Sequence, residues 1–146
     1  MTGLVVGRTS LDVQPCVEAL DLLPWKWGRD DGLEVCSHIF EWPDEFPIKP
    51  VRDWVLDAAG PGVECPLTII ANLVPEQRIK KHSDYEYSSR LRVHVPLQTN
   101  PGVFFWEDGV PTHMEVGRAY GIDPQVPHSI YNGGYSNRIH MIFVLV

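Results

Sequence analysis

The second half of the chain constrains the fold most. From residue 66 onward, short runs rich in β-branched and aromatic residues follow one another, with no helical period between them. They lie at 67–74, 90–97, 103–106, 112–116, 118–122, 129–132 and 139–146. Breaks such as Pro75, Asn100-Pro101-Gly102, Glu107-Asp108-Gly109 and Gly133-Gly134 separate them. Short strands at this spacing specify an antiparallel sandwich or barrel.

The first sixty residues read differently. Residues 3–6 suit a short strand. Asp12 to Pro15 marks a helix start, and Val17, Leu20 and Leu23 continue one apolar stripe that must end before Pro24. A second helix is expected over 47–59, burying Val51, Trp54, Val55 and Ala58 and stopping at Gly60. Trp25, Trp27 and Trp42 fall in a stretch of mixed polarity and read as packing residues. At 146 residues the chain fits a single domain, 1–146. Within it, Gly60-Pro61-Gly62 divides a helical N-terminal layer (1–62) from a β core (66–146). The expected class is mainly β, with one or two N-terminal packing helices.

The net charge of −7 argues against nucleic acid as a partner, because phosphate binding requires a basic face. Arg78, Lys80 and Lys81 form the one basic cluster. The odd set Cys16, Cys36 and Cys65 has no C-x-x-C spacing, which favours free thiols and a cytoplasmic, reducing setting. No signal-peptide pattern opens the sequence, and no apolar run reaches the roughly 18 residues of a membrane span.

Two patterns carry chemistry. In 90–97, Leu91, Val93, Val95 and Leu97 face one way and Arg90, Arg92 and His94 the other. The second face meets either solvent or a cavity. In a cavity the arginines call for an anion, and a small dicarboxylate fits. The other pattern is His82-Ser83-Asp84. On a strand, residues two apart share a face, so His82 and Asp84 are placed to chelate one ion. With a distal histidine they make a two-His, one-carboxylate set suited to Fe(II), which leaves positions open for a cosubstrate and O2. Of the remaining histidines, His128 begins a run after the break Asp123-Pro124-Gln125, where a ligand at a barrel mouth belongs. A histidine at a loop edge fits that position equally well. Arg138, ten residues later, lies across a turn where it can meet the far carboxylate of a cosubstrate.

Together these residues resemble the iron(II)- and 2-oxoglutarate-dependent dioxygenases, in particular the aspartyl/asparaginyl β-hydroxylase-like branch. The resemblance covers about 66–146 and rests on four motifs in order. These are Pro75 seven residues before His82, the run Arg90-Leu91-Arg92-Val93-His94, His128 to Asn132, and Arg138. It implies a double-stranded β-helix (a jelly-roll or cupin-like core), with Fe(II) held by His82, Asp84 and His128. It also implies that Arg138 holds the distal carboxylate of 2-oxoglutarate, positioned by Arg92 and His94. Mammalian aspartyl hydroxylases lack the acidic ligand. Asp84 makes this chain more similar to bacterial members with a full triad, which include proline hydroxylases. Ala71 stands where the hydroxylases carry a serine.

The implied reaction hydroxylates a C–H bond of an amino acid or of an Asp, Asn or Pro residue in a short peptide. It consumes O2 and decarboxylates 2-oxoglutarate to succinate. Arg90, Trp106, Tyr85 and Tyr87 are candidates for substrate contact, and each fits packing or solvent exposure at least as well. Two other readings compete. One is a cupin-type metal barrel without 2-oxoglutarate, although such barrels favour H-x-H over the H-x-D found here. The other is a non-enzymatic jelly-roll binding module, which leaves Arg138 unexplained.

Overall fold

The computed structural model describes residues 4–5, 11–30, 34–39, 47–84 and 91–146. Eleven strands lie among them: β1 (Leu4–Val5), β2 (Lys26–Asp30), β3 (Glu34–Ile39), β4 (Leu67–Leu73), β5 (Arg78–His82), β6 (Leu91–Gln98), β7 (Val103–Glu107), β8 (Val110–Thr112), β9 (Tyr120–Ile122), β10 (His128–Asn132) and β11 (Arg138–Leu145). Two helices, α1 (Gln14–Glu18) and α2 (Lys49–Ala59), precede the β core, and a 3-10 turn (Leu20–Leu22) follows α1. All strand pairs are antiparallel. They build a seven-stranded sheet, β1-β9-β6-β11-β4-β3-β2, and a four-stranded sheet, β5-β10-β7-β8. This is a double-stranded β-helix, mainly β, with few helices.

The larger sheet is buried on both faces along its central strands β4, β6 and β11. Its outer face presents Ile70, Val93, Val95, Leu97, Ile139, Met141, Phe143 and Leu145 to α1 and α2, which contribute Cys16, Val51 and Val55. This is the apolar side of the alternation seen in 90–97. The inner face closes on the smaller sheet through Leu73, Tyr120 and Ile122 against Val103, Phe105 and Ile130. All eight residues of β11 are therefore buried, and none alternates with solvent.

The N-terminal part carries two strands beyond the short strand and helices expected there. Residues 26–30 and 34–39 pair as a hairpin, and β3 joins β4 to extend the larger sheet. Local pattern does not announce these strands, because partners far along the chain complete them. The first helix also ends early, tightening to a 3-10 turn after Glu18. The strand expected at 112–116 lies instead at Val110–Thr112, because the loop is only two residues long. Asp108 (φ 49°) and Gly109 (φ 79°) both adopt the positive φ that such a hairpin turn requires. Trp42, Tyr85, Tyr87 and Arg90 lie outside the described residues.

Asn132 ties the far end of the barrel together. Its fully buried amide donates to the carbonyls of Leu73 (2.9 Å) and Ser136 (2.9 Å). Its Oδ1 accepts from Gly134 N–H (3.1 Å) and Asn100 Nδ2 (3.2 Å). Gly134 has no room for a side chain, since a Cβ there would meet Asn100 Oδ1 at 1.8 Å. The loop before Arg138 is thereby pinned to β4 and β10.

Candidate metal centre

The site forms where β5 ends and β10 begins. His128 pairs with His82 across the β5–β10 ladder, and a bulge between His128 and Ile130 resets the register there. The two rings lie 4.4 Å apart, centroid to centroid. Asp84 is not a strand residue. Its backbone N–H donates to Pro124 O (2.7 Å), so the 123–127 turn rather than the pleat brings the carboxylate over the histidines. One candidate ligand atom each from His82, Asp84 and His128 lies within 4.8 Å of the other two. His82 Nε2 is 3.5 Å from Asp84 Oδ1, and His128 Nε2 is 3.2 Å from Oδ2.

The hydrogen bonds decide which nitrogens are available. His82 Nδ1 is 2.6 Å from Lys80 O, and His128 Nδ1 is 2.8 Å from Val126 O. A carbonyl oxygen only accepts, so each Nδ1 carries the proton and each Nε2 is turned to the shared centre. This is the outer-shell arrangement that presents a bare imidazole nitrogen to a metal. Phe105 stacks on His128 (5.6 Å, 13°) and fixes the ring plane. Two imidazoles and one carboxylate on one side of a point suit divalent iron with open positions. Burial pushes the Asp84 carboxyl up, but the neighbouring His128 ring, the charge of Arg92 and the His82 ring together outweigh it. The group stays below its ordinary value and is a carboxylate at neutral pH.

The polar side of β6 faces the barrel interior, not solvent. Arg92 Nη1 lies 3.0 Å from Asp84 Oδ2. The β6–β11 register puts Arg92, His94, His140 and Arg138 in sequence along one inner face, running away from the candidate ligands His82, Asp84 and His128. Arg138 is 1% exposed. The row is cationic or donor-rich along its length, as an anion site requires. Ala71 stands opposite His140 on β4, so that wall is apolar.

His94 and His140 are both buried, with ring nitrogens Nδ1 3.1 Å apart. Burial, then the charge of Arg138, holds both well below the ordinary histidine value of 6.5. Each is neutral when folded and takes up a proton in the unfolded chain. Stability is therefore complete above the unfolded value and falls as pH drops below about 6.5, by up to about 1.4 kcal/mol per pH unit for each ring. Denaturant unfolding between pH 7.5 and 5 should show this slope. A His94→Asn/His140→Asn double variant should lose up to two protons' worth of it.

Not every sequence candidate reaches the centre. Trp106 alternates to the outer face of the smaller sheet, where it lines a shallow groove of about 450 Å³ with Arg78, Lys81 and Tyr131. Phe105, its inward neighbour, is the ring that stacks on His128. Three inward residues escaped the sequence reading: Phe105, His140 and Glu107, the last in register with His128. Parity with Arg138 on β11 marks His140, and parity with Phe105 on β7 marks Glu107.

The comparisons with known proteins agree with this architecture. The sequence profile named Aspartyl/Asparaginyl beta-hydroxylase matches residues 59–146, more than half of the chain. The chain belongs to that family and is a dioxygenase. No curated protein matches it significantly. Among solved structures, it resembles a prolyl hydroxylase from Trichoplax adhaerens in complex with a hypoxia inducible factor peptide fragment (TM-score 0.67, 12% identity, 91% of this chain and 75% of that one). It is similar to a 2OG-Fe(II) oxygenase family oxidoreductase from Burkholderia pseudomallei (TM-score 0.66, 13% identity, 88% and 76%). A predicted oxalate decarboxylase from Thermotoga maritima shares the fold more loosely (TM-score 0.54, 12% identity, 84% and 95%). No helix among the described residues is long and apolar enough to cross a membrane.

Proposed function

We propose that the protein is an Fe(II)- and 2-oxoglutarate-dependent hydroxylase acting on a free amino acid or on an Asp, Asn or Pro residue of a short peptide. The observation that carries this reading is the convergence of His82 Nε2, Asp84 and His128 Nε2, with both Nδ1 atoms engaged by backbone carbonyls. These three side chains would hold the iron. Bound iron with 2-oxoglutarate and O2 supplies the oxidising power for C–H hydroxylation and releases succinate and carbon dioxide.

The chain's own contribution is binding and orientation. Arg138, deep in the donor row, takes the distal carboxylate by charge-assisted hydrogen bonds. Arg92 and His94 position the end nearer the metal, and Arg92 also orients Asp84 through its 3.0 Å contact. Apolar side chains behind the row, such as Ile69 and Ile142, keep bulk water away.

Anaerobic addition of Fe(II) and 2-oxoglutarate tests the reading. A weak visible charge-transfer band that needs both components is expected, with succinate formation once air is admitted. Screening amino acids and short peptides for the mass gain of one oxygen atom then identifies the substrate. Absence of the band together with absence of succinate would overturn the proposal.

A further inference from the structure

We propose that His140 is a positioning residue. Its Nδ1–H donates to His94 Nδ1, which fixes His94 as the tautomer that carries its proton on Nε2 and offers it to the anionic cosubstrate. The anion's identity rests on the 2-oxoglutarate reading above; the tautomer does not.

The two rings meet edge to face (85°, centroids 5.4 Å apart) with their Nδ1 atoms 3.1 Å apart. Two nitrogens at that distance share one proton, so one ring donates and the other accepts. The far side of His140 decides which. Its Nε2 is buried and has no hydrogen-bond partner among the described residues. The neighbouring strand offers it only Ala71 in register, flanked on that face by Ile69 and Leu73. A proton on Nε2 would strand an N–H donor against this apolar wall. Stranded buried N–H groups are rarer than under-satisfied acceptors. Arg138 lies two residues away on the same face, and its positive charge favours an electron pair over another N–H nearby. The proton of His140 therefore sits on Nδ1, facing His94.

His94 then accepts at Nδ1 and must carry its own proton on Nε2. Arg92 and Arg138 are donors only. With His94 set in this tautomer, Arg92, His94 and Arg138 are all donors toward the cavity, which is the complement of a linear dicarboxylate. With the opposite tautomer, His94 would turn a lone pair toward the anion and repel it. The depressed basicity of both rings is consistent with a neutral, directional pair. Phe105 packs on His94 (5.7 Å) from the facing sheet and holds the ring in place.

Nitrogen-15 NMR of histidine-labelled, metal-free protein tests the assignment directly. The expected result is Nε2–H at His94 and Nδ1–H at His140. In His140→Leu, His94 should relax to a mixture of tautomers. The KM for 2-oxoglutarate should rise about twofold, because a mixture leaves only about half of His94 in the binding tautomer, with a smaller change in kcat. His140→Asn places an amide nitrogen near the position of Nδ1 and should restore most of the affinity. An Nδ1–H tautomer at His94 in the unaltered protein overturns the proposal, as does an unchanged tautomer in His140→Leu. If the protein binds no 2-oxoglutarate at all, the hydroxylase reading fails, while the NMR result still decides the tautomer. The unaltered protein and His140→Asn keep the test open should His140→Leu fail to fold.

Discussion

Asp84→Ala should reduce Fe(II) affinity by more than about a hundredfold and end succinate production. Loss of an outer-shell partner alone costs roughly 10–100-fold in metal affinity, and Asp84 supplies one of three candidate ligand atoms that converge among the described residues. The carboxylate has a second task. Arg92 Nη1 rests 3.0 Å from it, and the Arg92 side chain is only 16% exposed. The alanine variant removes a proposed metal ligand and the counter-charge of a half-buried guanidinium together. Some stability, about 1–3 kcal/mol, should go with it. Metal titration by calorimetry reads the first effect and urea unfolding of the metal-free protein reads the second. An Asp84→Ala protein that binds Fe(II) as tightly as the parent would remove the triad from the mechanism.

Arg138→Met should raise the KM for 2-oxoglutarate by about 10–100-fold, the worth of a charge-assisted contact to a carboxylate. Fe(II) binding should hold, since Arg138 lies at the end of the inner row away from the metal ligands. Arg138→Lys should recover part of the loss, because an ammonium keeps the charge and loses the planar fork. Steady-state kinetics against 2-oxoglutarate checks this, with thermal melting run alongside to separate a lost anion contact from a lost fold. A KM unchanged in both variants would mean that the cosubstrate does not reach this residue.

Much of the core was legible because its strands obey local rules. The run at 67–74 and the alternation at 90–97 correspond to β4 and β6, since β-branched residues and parity reveal strands that bury a face. The β2–β3 hairpin was not legible. Its strands exist because β4 offers an edge, and no local pattern records that. β5 was equally quiet, with three cations in Arg78-Ile79-Lys80-Lys81-His82 masking the alternation. At the site, His82 and Asp84 do converge, but by a route different from the strand pleat expected. Asp84 reaches the centre through a backbone bond to Pro124, about forty residues away, and spacing cannot show such a contact. His140 escaped notice within an apolar strand, although parity with Arg138 already placed the two on one face.

The position of β11 bears on how the chain acquires its site. His82, Asp84 and His128 have all been synthesised by residue 128, yet β4 and β6 are not joined until β11 pairs with both. A nascent chain that stops short of Arg138 holds two separate sheet fragments, with Arg92 on one and Ala71 on the other. Closing the gap joins segments far apart in sequence, so loop-closure entropy must be met before the central pairing rewards it. The donor row along β6 and β11 thus comes into being in the same event that completes the larger sheet. The three converging side chains are in place early in synthesis, but the proposed anion site waits for the central strand to dock.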